Sequence, residues 1–420
     1  MNRRRMSALA CAAVAVIGLF GAAPAATTAS SAPPPRSADP DRAAAIDAFQ
    51  RAFPGVSDAE ALRRIDAEDE RVALLEQLAT QSPGTYGGAW YDGATDTQHL
   101  LSTTPAAAAA FTRAAAARGI DATTHDVDFS LATLIAERDR VNNGTHRGVP
   151  AGATAGIDLK ANRVVVELPA STLASVRRGA VALPATMRAT ARTAQTTGPE
   201  VCATHRSCSP PLRAGVQLWR GPEKTYSCSA GFTANSTTSV GRWVLTAGHC
   251  GAIGSRWGNG TQSVGTMRAR YNWNDVDAAA IRIDSTYWLD GATWGWMYDP
   301  SATSQRLPVA GRITSETSMQ PGQTVCIAAQ SIGSGIRCGV LGDVNDANAR
   351  GMARVDGIDT CPGDSGGAWY RYSSTGRIAY GIHHGGKLVP STCHGSDVSL
   401  FSTLPDIAEH LGFAVHTRSR

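Results

Sequence analysis

The spacing of apolar positions changes character about halfway along the chain. In the first half, apolar residues recur at helical spacing over three stretches: Ala43–Phe53, Ala59–Leu78 and Ala106–Arg118. Ser57 is placed to cap the second of these predicted helices. Two shorter runs, Gly88–Asp92 and Arg163–Leu168, carry aromatic or β-branched residues and predict strands. We therefore expect a small α+β domain.

From Gly215 onward, short β-branched and aromatic runs alternate with Gly, Asn, Ser and Asp, which is typical of many short strands. The clearest predicted strands are Trp243–Leu245, Ala278–Ile283, Thr324–Ile327 and Ile378–Ile382. Strands at this spacing indicate a sandwich or barrels. Pro405–Leu411 predicts an amphipathic helix that closes the chain.

The N-terminus has the pattern of a secretory signal peptide over residues 1–25. Arg3–Arg5 precede an apolar run from Met6 to Ala22, and small residues follow up to Ala25. A membrane anchor is the alternative, but Ala-Thr-Thr-Ala-Ser-Ser follows in place of a positive stop-transfer cluster. We expect a secreted, extracellular protein that has no membrane contact after signal cleavage.

Composition and cysteine usage narrow the class of protein. The 420 residues are 43% hydrophobic with a net charge of +4, and no dense basic stretch predicts a nucleic-acid partner. Beyond Cys11, all eight cysteines follow Glu200, an even number that predicts disulfides in an exported protein. Because no paired CxxC spacing is present, we expect no metal site, and no sequence feature predicts a cofactor.

Three separated segments together predict nucleophilic catalysis. His249 lies in Thr246–Cys250, Asp277 opens an apolar strand, and Ser365 lies in the glycine-rich turn 363–367. Ser365 would attack a carbonyl, His249 would accept its proton, and Asp277 would orient the imidazole. The amides of Gly363 and Ser365 would bind the oxyanion.

These residues resemble those of the chymotrypsin-like serine peptidases. Thr-Ala-Gly-His-Cys at 246–250 and Gly-Asp-Ser-Gly-Gly at 363–367 match in the family order, and residues 215–415 are similar to the secreted streptogrisin and α-lytic protease branch. The resemblance implies two antiparallel β-barrels with the active site in the cleft between them. It also implies a monomeric endopeptidase acting on proteins or peptides and made as a zymogen. Its pro-region would be 26–199 and its peptidase domain 200–420.

Two acids compete for the third catalytic position. Asp277 is followed by Ala278–Ile283, which is similar to the streptogrisin pattern. Choosing Asp275 would leave Asp277 buried without a partner, which is costly. We therefore expect Asp277.

The resemblance also implies disulfide pairs: Cys228–Cys250, Cys326–Cys338 and Cys361–Cys393. Cys202 and Cys208 remain as a fourth pair, which has no counterpart in the family. The substrate pocket is implied to contain Asp359, Thr360, His383, Gly385 and Gly386.

The substrate residue before the cleaved bond is called P1. The two walls of the pocket predict different P1 residues. Asp359 resembles the acid that binds Arg or Lys, whereas His383 and Thr360 resemble the carboxylate-binding pair of glutamate-specific members. A hydrogen bond between His383 and Asp359 would produce neither preference. Acidic, basic and other P1 residues stay open.

Asp364 lacks the partner that the resemblance leads us to expect. Streptogrisin-like enzymes often have an arginine after the first cysteine of the mid-domain loop, but here Ile327 follows Cys326. The candidate partners are Arg337, Arg312 and a newly made N-terminus. Two alternatives to an enzyme are an inactive secreted binding protein on the same fold and a structural envelope protein.

Overall fold

The computed structural model describes residues 40–142, 144–150, 153–168, 170–179, 182–191, 211–224, 226–288, 294–298, 306–332, 336–386 and 398–418. The expected signal peptide, the junction at residues 199 and 200 between the expected pro-region and peptidase domain, and Cys202, Cys208 and Cys393 lie outside them. No helix in the described ranges is long and apolar enough to cross a membrane.

The first half contains two three-stranded sheets with helices around them, as predicted. Its helices are α1 Pro40–Ala52, α2 Asp58–Asp66, α3 Glu68–Gln81, α4 Pro105–Ala116, α5 Leu131–Asn142 and α6 Ala170–Arg177. Its strands are β1 Tyr86–Asp92, β2 Thr97–Ser102, β3 Ala122–Asp126, β4 Thr154–Asp158, β5 Arg163–Leu168 and β6 Met187–Ala191. The sheets have the orders β1-β2-β3 and β4-β5-β6.

One predicted helix is divided. The run from Ala59 to Leu78 forms α2 and α3, which meet at Ala67. Ser57 caps α2, because its hydroxyl accepts a hydrogen bond from the Glu60 amide. Glu68, at the start of α3, accepts a hydrogen bond from the backbone amide of Thr324 in the second half of the chain.

Two eight-stranded sheets form the second half. The first uses β7 Gln217–Arg220, β8 Tyr226–Ser229, β9 Thr233–Ser236, β10 Trp243–Thr246, β11 Arg256–Asn259, β12 Gln262–Trp273 and β13 Val276–Ile283. The second uses β14 Trp296–Tyr298, β15 Arg306–Arg312, β16 Thr324–Ala328, β17 Arg337–Asp343, β18 Ala353–Asp356, β19 Ala368–Ser373, β20 Gly376–Gly386 and β21 Val398–Thr403. Helix α7, Leu404–Leu411, and β22, Phe413–Val415, follow.

The two sheets differ in how completely they close. In the second sheet β20 pairs with both β19 and β21, so β20-β19-β16-β17-β18-β21 form a closed six-stranded barrel. The first sheet has the order β22-β9-β10-β13-β12-β11-β7-β8 and stays a half-barrel. This architecture confirms the expected pair of barrel-like sheets, the C-terminal helix and the α+β first half.

Strand β13 separates the two main cores. Ala279, Ile281 and Ile283 belong to the core of the first barrel, while alternate residues such as Ala278 and Ala280 pack into the other. This alternation is the two-residue period of a strand. The core that contains Ala278 and Ala280 is that of the second barrel. It also contains Ala45, Ala48 and Phe49 of α1, so the N-terminal half packs directly against the second barrel.

Candidate active site

Three elements carry the predicted catalytic side chains. His249 lies in the short 3-10 turn Gly248–Cys250 after β10, Asp277 is the second residue of β13, and Ser365 lies in the turn before β19. Strands β10 and β13 pair directly, with Thr246 opposite Ala279, so the histidine turn lies beside the start of β13. The Cys228–Cys250 disulfide joins that turn to β8.

The three side chains form a continuous chain of hydrogen bonds. The distance from His249 Nδ1 to Asp277 Oδ2 is 2.5 Å, and that from His249 Nε2 to Ser365 Oγ is 2.8 Å. The His249 amide also donates to Asp277 Oδ1 at 2.8 Å. Because an ionised carboxylate only accepts, His249 carries its proton on Nδ1, and Nε2 is available to take the serine proton.

Asp277 is held as a carboxylate although it is completely buried. Burial alone would raise the pKa of Asp277, but hydrogen bonds from His249 and His384 outweigh it and hold the pKa well below its usual range. His384 Nδ1 lies 2.6 Å from Asp277 Oδ2. The Asp277 amide donates to Ser402 Oγ at 2.8 Å, which fixes the start of β13.

His384 received no role in the sequence analysis. It follows His383 in the stretch that resembles a pocket wall, and successive residues of a strand point to opposite faces. That alternation is the signal that would have directed one histidine to a core and its neighbour to the cleft.

Asp275 lies away from His249. Its side chain is buried, and burial raises its pKa against the attraction of Arg138 from α5, while Glu316 adds to the rise. The structure therefore brings Asp277, and not Asp275, against the imidazole.

The turn before Ser365 requires glycine at position 363. Gly363 has φ +94°, and a Cβ there would lie 1.5 Å from Gln330 Nε2. Its carbonyl accepts a hydrogen bond from Ser229 Oγ at 2.8 Å. Within the described residues nothing accepts from the amides of Gly363 or Ser365, so both can donate to an oxyanion.

Asp364 accepts hydrogen bonds from Ser331 and, at 2.8 Å, from the Cys361 amide, so Arg337 and Arg312 are wrong as its hydrogen-bond partners, while a newly made N-terminus stays a prediction. The Ser331 amide donates to Asp364 Oδ1 at 2.9 Å and its hydroxyl to Oδ2 at 2.5 Å. The two arginines bond elsewhere, since Arg337 donates to the Asp359 carbonyl and Arg312 to the Val415 carbonyl. The two donors of Ser331 and the Cys361 amide together satisfy the buried carboxyl without an arginine.

Of the predicted pocket residues, His383 and Thr360 are buried, whereas Asp359 lines a separate cavity. His383 is fully buried, and its Nδ1 accepts from Trp369 Nε1 at 3.2 Å instead of bonding to Asp359. Thr360 Oγ1 lies 3.1 Å from Ser399 Oγ. Asp359 instead lines a cavity together with Asp47 and Arg51 of α1.

Two glycines continue β20 beyond the histidines. Gly385 and Gly386 pair with Leu400 and Ser399 of β21. A Cβ on Gly385 would meet nothing within 4 Å, so the strand borders open space there.

His383 is neutral in this environment. Burial, followed by the nearby His384 and His249, lowers its pKa to about 3. Because Nδ1 accepts a hydrogen bond, the ring proton is on Nε2, and the Leu400 backbone interacts with that Nε2–H without forming an aligned hydrogen bond.

Disulfides are present in the second half. Cys228 is bonded to Cys250 and Cys326 to Cys338, and Cys361 is also disulfide-bonded.

Among the described residues, the only group of three potential metal-ligating side chains that lie close together is His249, Asp277 and His384. Their polar atoms are hydrogen-bonded to each other at 2.5 and 2.6 Å, which leaves no room for an ion between them.

A pair of barrel-like sheets followed by a C-terminal helix is the fold of the chymotrypsin-like serine peptidases. The sequence model of the Trypsin family matches residues 211–396. Serine protease 1 of Streptomyces fradiae is 28% identical over 368 residues, covering 85% of this chain and 88% of that protease. Serine protease 2 of the same organism is 30% identical over 166 residues, covering 38% of this chain and 87% of that protease.

A solved Nocardiopsis protease, NAPase, aligns with 50% of this chain and 100% of its own at 22% identity and a TM-score of 0.39. The chain belongs to the trypsin-like serine protease family. It is a serine endopeptidase, and its substrates are proteins or peptides.

Proposed function

We propose that Ser365, His249 and Asp277 are the catalytic triad of this endopeptidase and act through an acyl-enzyme intermediate. The observation that carries the proposal is the 2.8 Å contact between His249 Nε2 and Ser365 Oγ, with Nδ1 of the same ring held by Asp277. Ser365 Oγ attacks the scissile carbonyl while His249 takes its proton. His249 then gives that proton to the leaving amine, and water attacks the ester by the same steps.

Asp277 and the serine turn support the charges that form during this reaction. The buried carboxylate faces the imidazolium as His249 gains its proton. The amides of Gly363 and Ser365 donate to the oxygen that becomes negative in the tetrahedral intermediate. Protonation of His249 at acid pH removes the base, so activity falls there.

For the substrate residue P1, we propose a side chain that ends in a hydrogen-bond acceptor, as Glu and Gln do. The support is the neutral His383, whose buried Nε2–H interacts with the Leu400 backbone without forming an aligned hydrogen bond. A buried donor with a poorly aligned partner costs free energy, and an acceptor on the substrate would recover it. Asp359, the signal for a basic P1 residue, faces the cavity beside α1 instead.

We further propose that the chain is secreted as a zymogen in which residues 26–199 are a pro-region that is later removed. Buried contacts of opposite charge support a specific, docked pro-region. Asp69 of α3 lies 2.6 Å from Arg371 Nη2 on β19, and Arg138 of α5 lies 2.7 Å from Glu316 before β16. Similarity to Streptomyces serine protease 1 over 85% of this chain extends into this half.

A fluorophosphonate probe tests the triad, because it reacts only with an activated serine. The purified, processed wild-type protein should be labelled at Ser365, and both labelling and peptide hydrolysis should disappear in Ser365→Ala. The matched control Ser374→Ala, at an exposed serine, should label like the wild type. A processed wild-type protein that stays unlabelled and still binds peptides would favour an inactive binding protein instead.

A further inference from the structure

Ser229, the last residue of β8, binds both residues that carry the proposed oxyanion donors. Its hydroxyl donates to the Gly363 carbonyl at 2.8 Å, and its amide donates to the Ser365 carbonyl at 2.7 Å. The side chain is completely buried. A residue of the first sheet therefore contacts the serine turn of the second half at two points.

The direction of the Ser229 hydroxyl is set by its partners. A carbonyl only accepts, so the hydroxyl donates to Gly363, while its oxygen accepts from the Gln330 amide at 2.9 Å. The Ser229 carbonyl accepts from Thr246 Oγ1 at 2.9 Å. Because Thr246 lies three residues before His249, Ser229 joins the histidine turn to the serine turn.

The bond from Ser229 restrains the residue of the turn that has no side chain. Gly363 has φ +94°, a conformation that glycine adopts without steric cost and can also leave easily. The peptide that follows Gly363 is held at both ends, because the Asp364 amide donates to the Cys361 carbonyl at 2.9 Å. Without the Ser229 hydroxyl, the Gly363 carbonyl loses this donor and the glycine can turn its amide away from the oxyanion.

We propose that Ser229 is a positioning residue whose hydroxyl keeps the amides of Gly363 and Ser365 directed at the oxyanion. The proposal rests on the triad and the oxyanion donors proposed above. Preorganised donors stabilise charge that develops only in the transition state. A loss of their direction therefore lowers kcat without weakening the binding of substrate.

The test compares kcat and KM for one peptide substrate in the processed wild type, Ser229→Ala and Ser229→Thr. Alanine removes the hydroxyl, whereas threonine keeps it. We expect Ser229→Ala to lower kcat by about 10- to 100-fold with KM within about 2-fold, and Ser229→Thr to recover most of that loss. The control is Ser318→Ala, which should keep the wild-type kcat, because Ser318 is also buried but its hydroxyl donates to Glu76 at 2.6 Å.

A peptide aldehyde separates positioning from a general structural role. Ser365 Oγ adds to the aldehyde carbon, the serine proton passes to His249, and the aldehyde oxygen becomes an oxyanion beside the two amides. In Ser229→Ala the Ki of the aldehyde should rise by about the factor that kcat loses. The Ki of the matching peptide alcohol, which binds without forming an oxyanion, should stay within about 2-fold. This comparison needs Ser229→Ala alone, so it holds whether or not threonine fits the buried position.

Labelling with the fluorophosphonate, run to completion, keeps two failures apart. If the processed wild type is not labelled at Ser365, the triad itself is wrong. If it is labelled and Ser229→Ala keeps kcat within about 2-fold of the wild type, Ser229 is only structural and this inference is overturned. An equal rise in the Ki values of the aldehyde and the alcohol would overturn it as well.

Discussion

At the scale of single residues, one hydrogen bond decides what His383 can recognise. Because Trp369 Nε1 donates to Nδ1, the histidine must present Nε2–H, and its pKa of about 3, lowered mainly by burial, keeps it neutral in ordinary solution. A neutral donor recognises an acceptor without needing a charge on it. Glu and Gln should therefore both serve as P1 residues.

Consider three peptides that differ only at P1, which is Glu, Gln or Lys. We predict that kcat/KM for the Glu and Gln peptides is at least about 10-fold higher than for the Lys peptide. The preference should stay flat between pH 5 and 8 in the ratio of kcat/KM values, since His383 does not titrate there. His383→Leu should remove the preference, whereas His383→Gln, which keeps a neutral donor, should retain part of it. Faster cleavage of the Lys peptide by the wild type would point back to Asp359.

At the scale of elements, the start of α3 carries a buried acid into the second barrel. Glu68 accepts from the Thr324 amide at 3.1 Å, and Arg371 Nη1 lies 3.9 Å from its other oxygen. Burial raises the pKa of Glu68 to about 7 despite the attraction of Arg371 and Arg71. Folded Glu68 thus holds its proton over a range where an unfolded glutamate has lost it.

The raised pKa of Glu68 makes the stability of the folded chain depend on pH. The contribution of Glu68 to stability is greatest below about pH 4.5, the unfolded value, and falls as the pH rises to about 7. Glu68→Gln should remove this fall. Between about pH 4.5 and 7, the free energy of unfolding of the variant should therefore rise relative to that of its parent by on the order of 3 kcal/mol. Urea unfolding of the full chain, in a Ser365→Ala background that prevents self-digestion, measures it.

Glu70→Gln is the control for this element, because Glu70 lies on the same helix with its side chain 64% exposed. It should leave the pH dependence unchanged. Parallel curves for the parent and Glu68→Gln would show that Glu68 is ionised in the folded protein.

At the scale of the whole molecule, α5 inserts a single arginine into an acidic region of the second half. Arg138 is 3% exposed, and Asn345 also accepts from its guanidinium. Glu316, Asp406 and Asp275, which come from three different segments of the second half, attract it, as does Asp139 beside it on α5. The halves of the chain are therefore joined by a buried charge as well as by the apolar face of α1.

We predict that Arg138→Met lowers the free energy of unfolding of the full chain by about 3 to 5 kcal/mol at pH 8, because it leaves buried carboxylates without their cation. The loss should shrink toward pH 4, because Asp275 and Asp406, whose pKa values are raised mainly by burial, take up protons as the pH falls. Urea unfolding at the two pH values gives both quantities.

The control is Arg140→Met on the same helix, since Arg140 pairs with Glu137 in an exposed position. It should cost less than about 1 kcal/mol. Equal losses for Arg138→Met and Arg140→Met would contradict a buried charge contact between the halves.

Local patterns were enough to predict the elements and the reactive residues. Helical spacing predicted α1 and α4, alternating and β-branched runs predicted β10, β13 and β16, and motifs identified His249 and Ser365 as candidates. These inferences succeed because periodicity and turn chemistry depend on residues close together in the chain. They missed the break at Ala67, next to which Glu68 contacts Thr324, a residue more than 200 positions away in the chain.

The sequence by itself therefore determined the class of fold, the order of its elements and the chemistry of its reactive side chains. Only the tertiary structure decided that Ser331 and Cys361, and not an arginine, bond Asp364, and that His383 and His384 have different partners, whereas the sequence had already favoured Asp277 over Asp275. Each of these depends on contacts between strands that are distant in the chain. No local pattern encodes which of two neighbouring side chains such a contact selects, because burial and hydrogen-bond satisfaction are settled only when the barrels pack together.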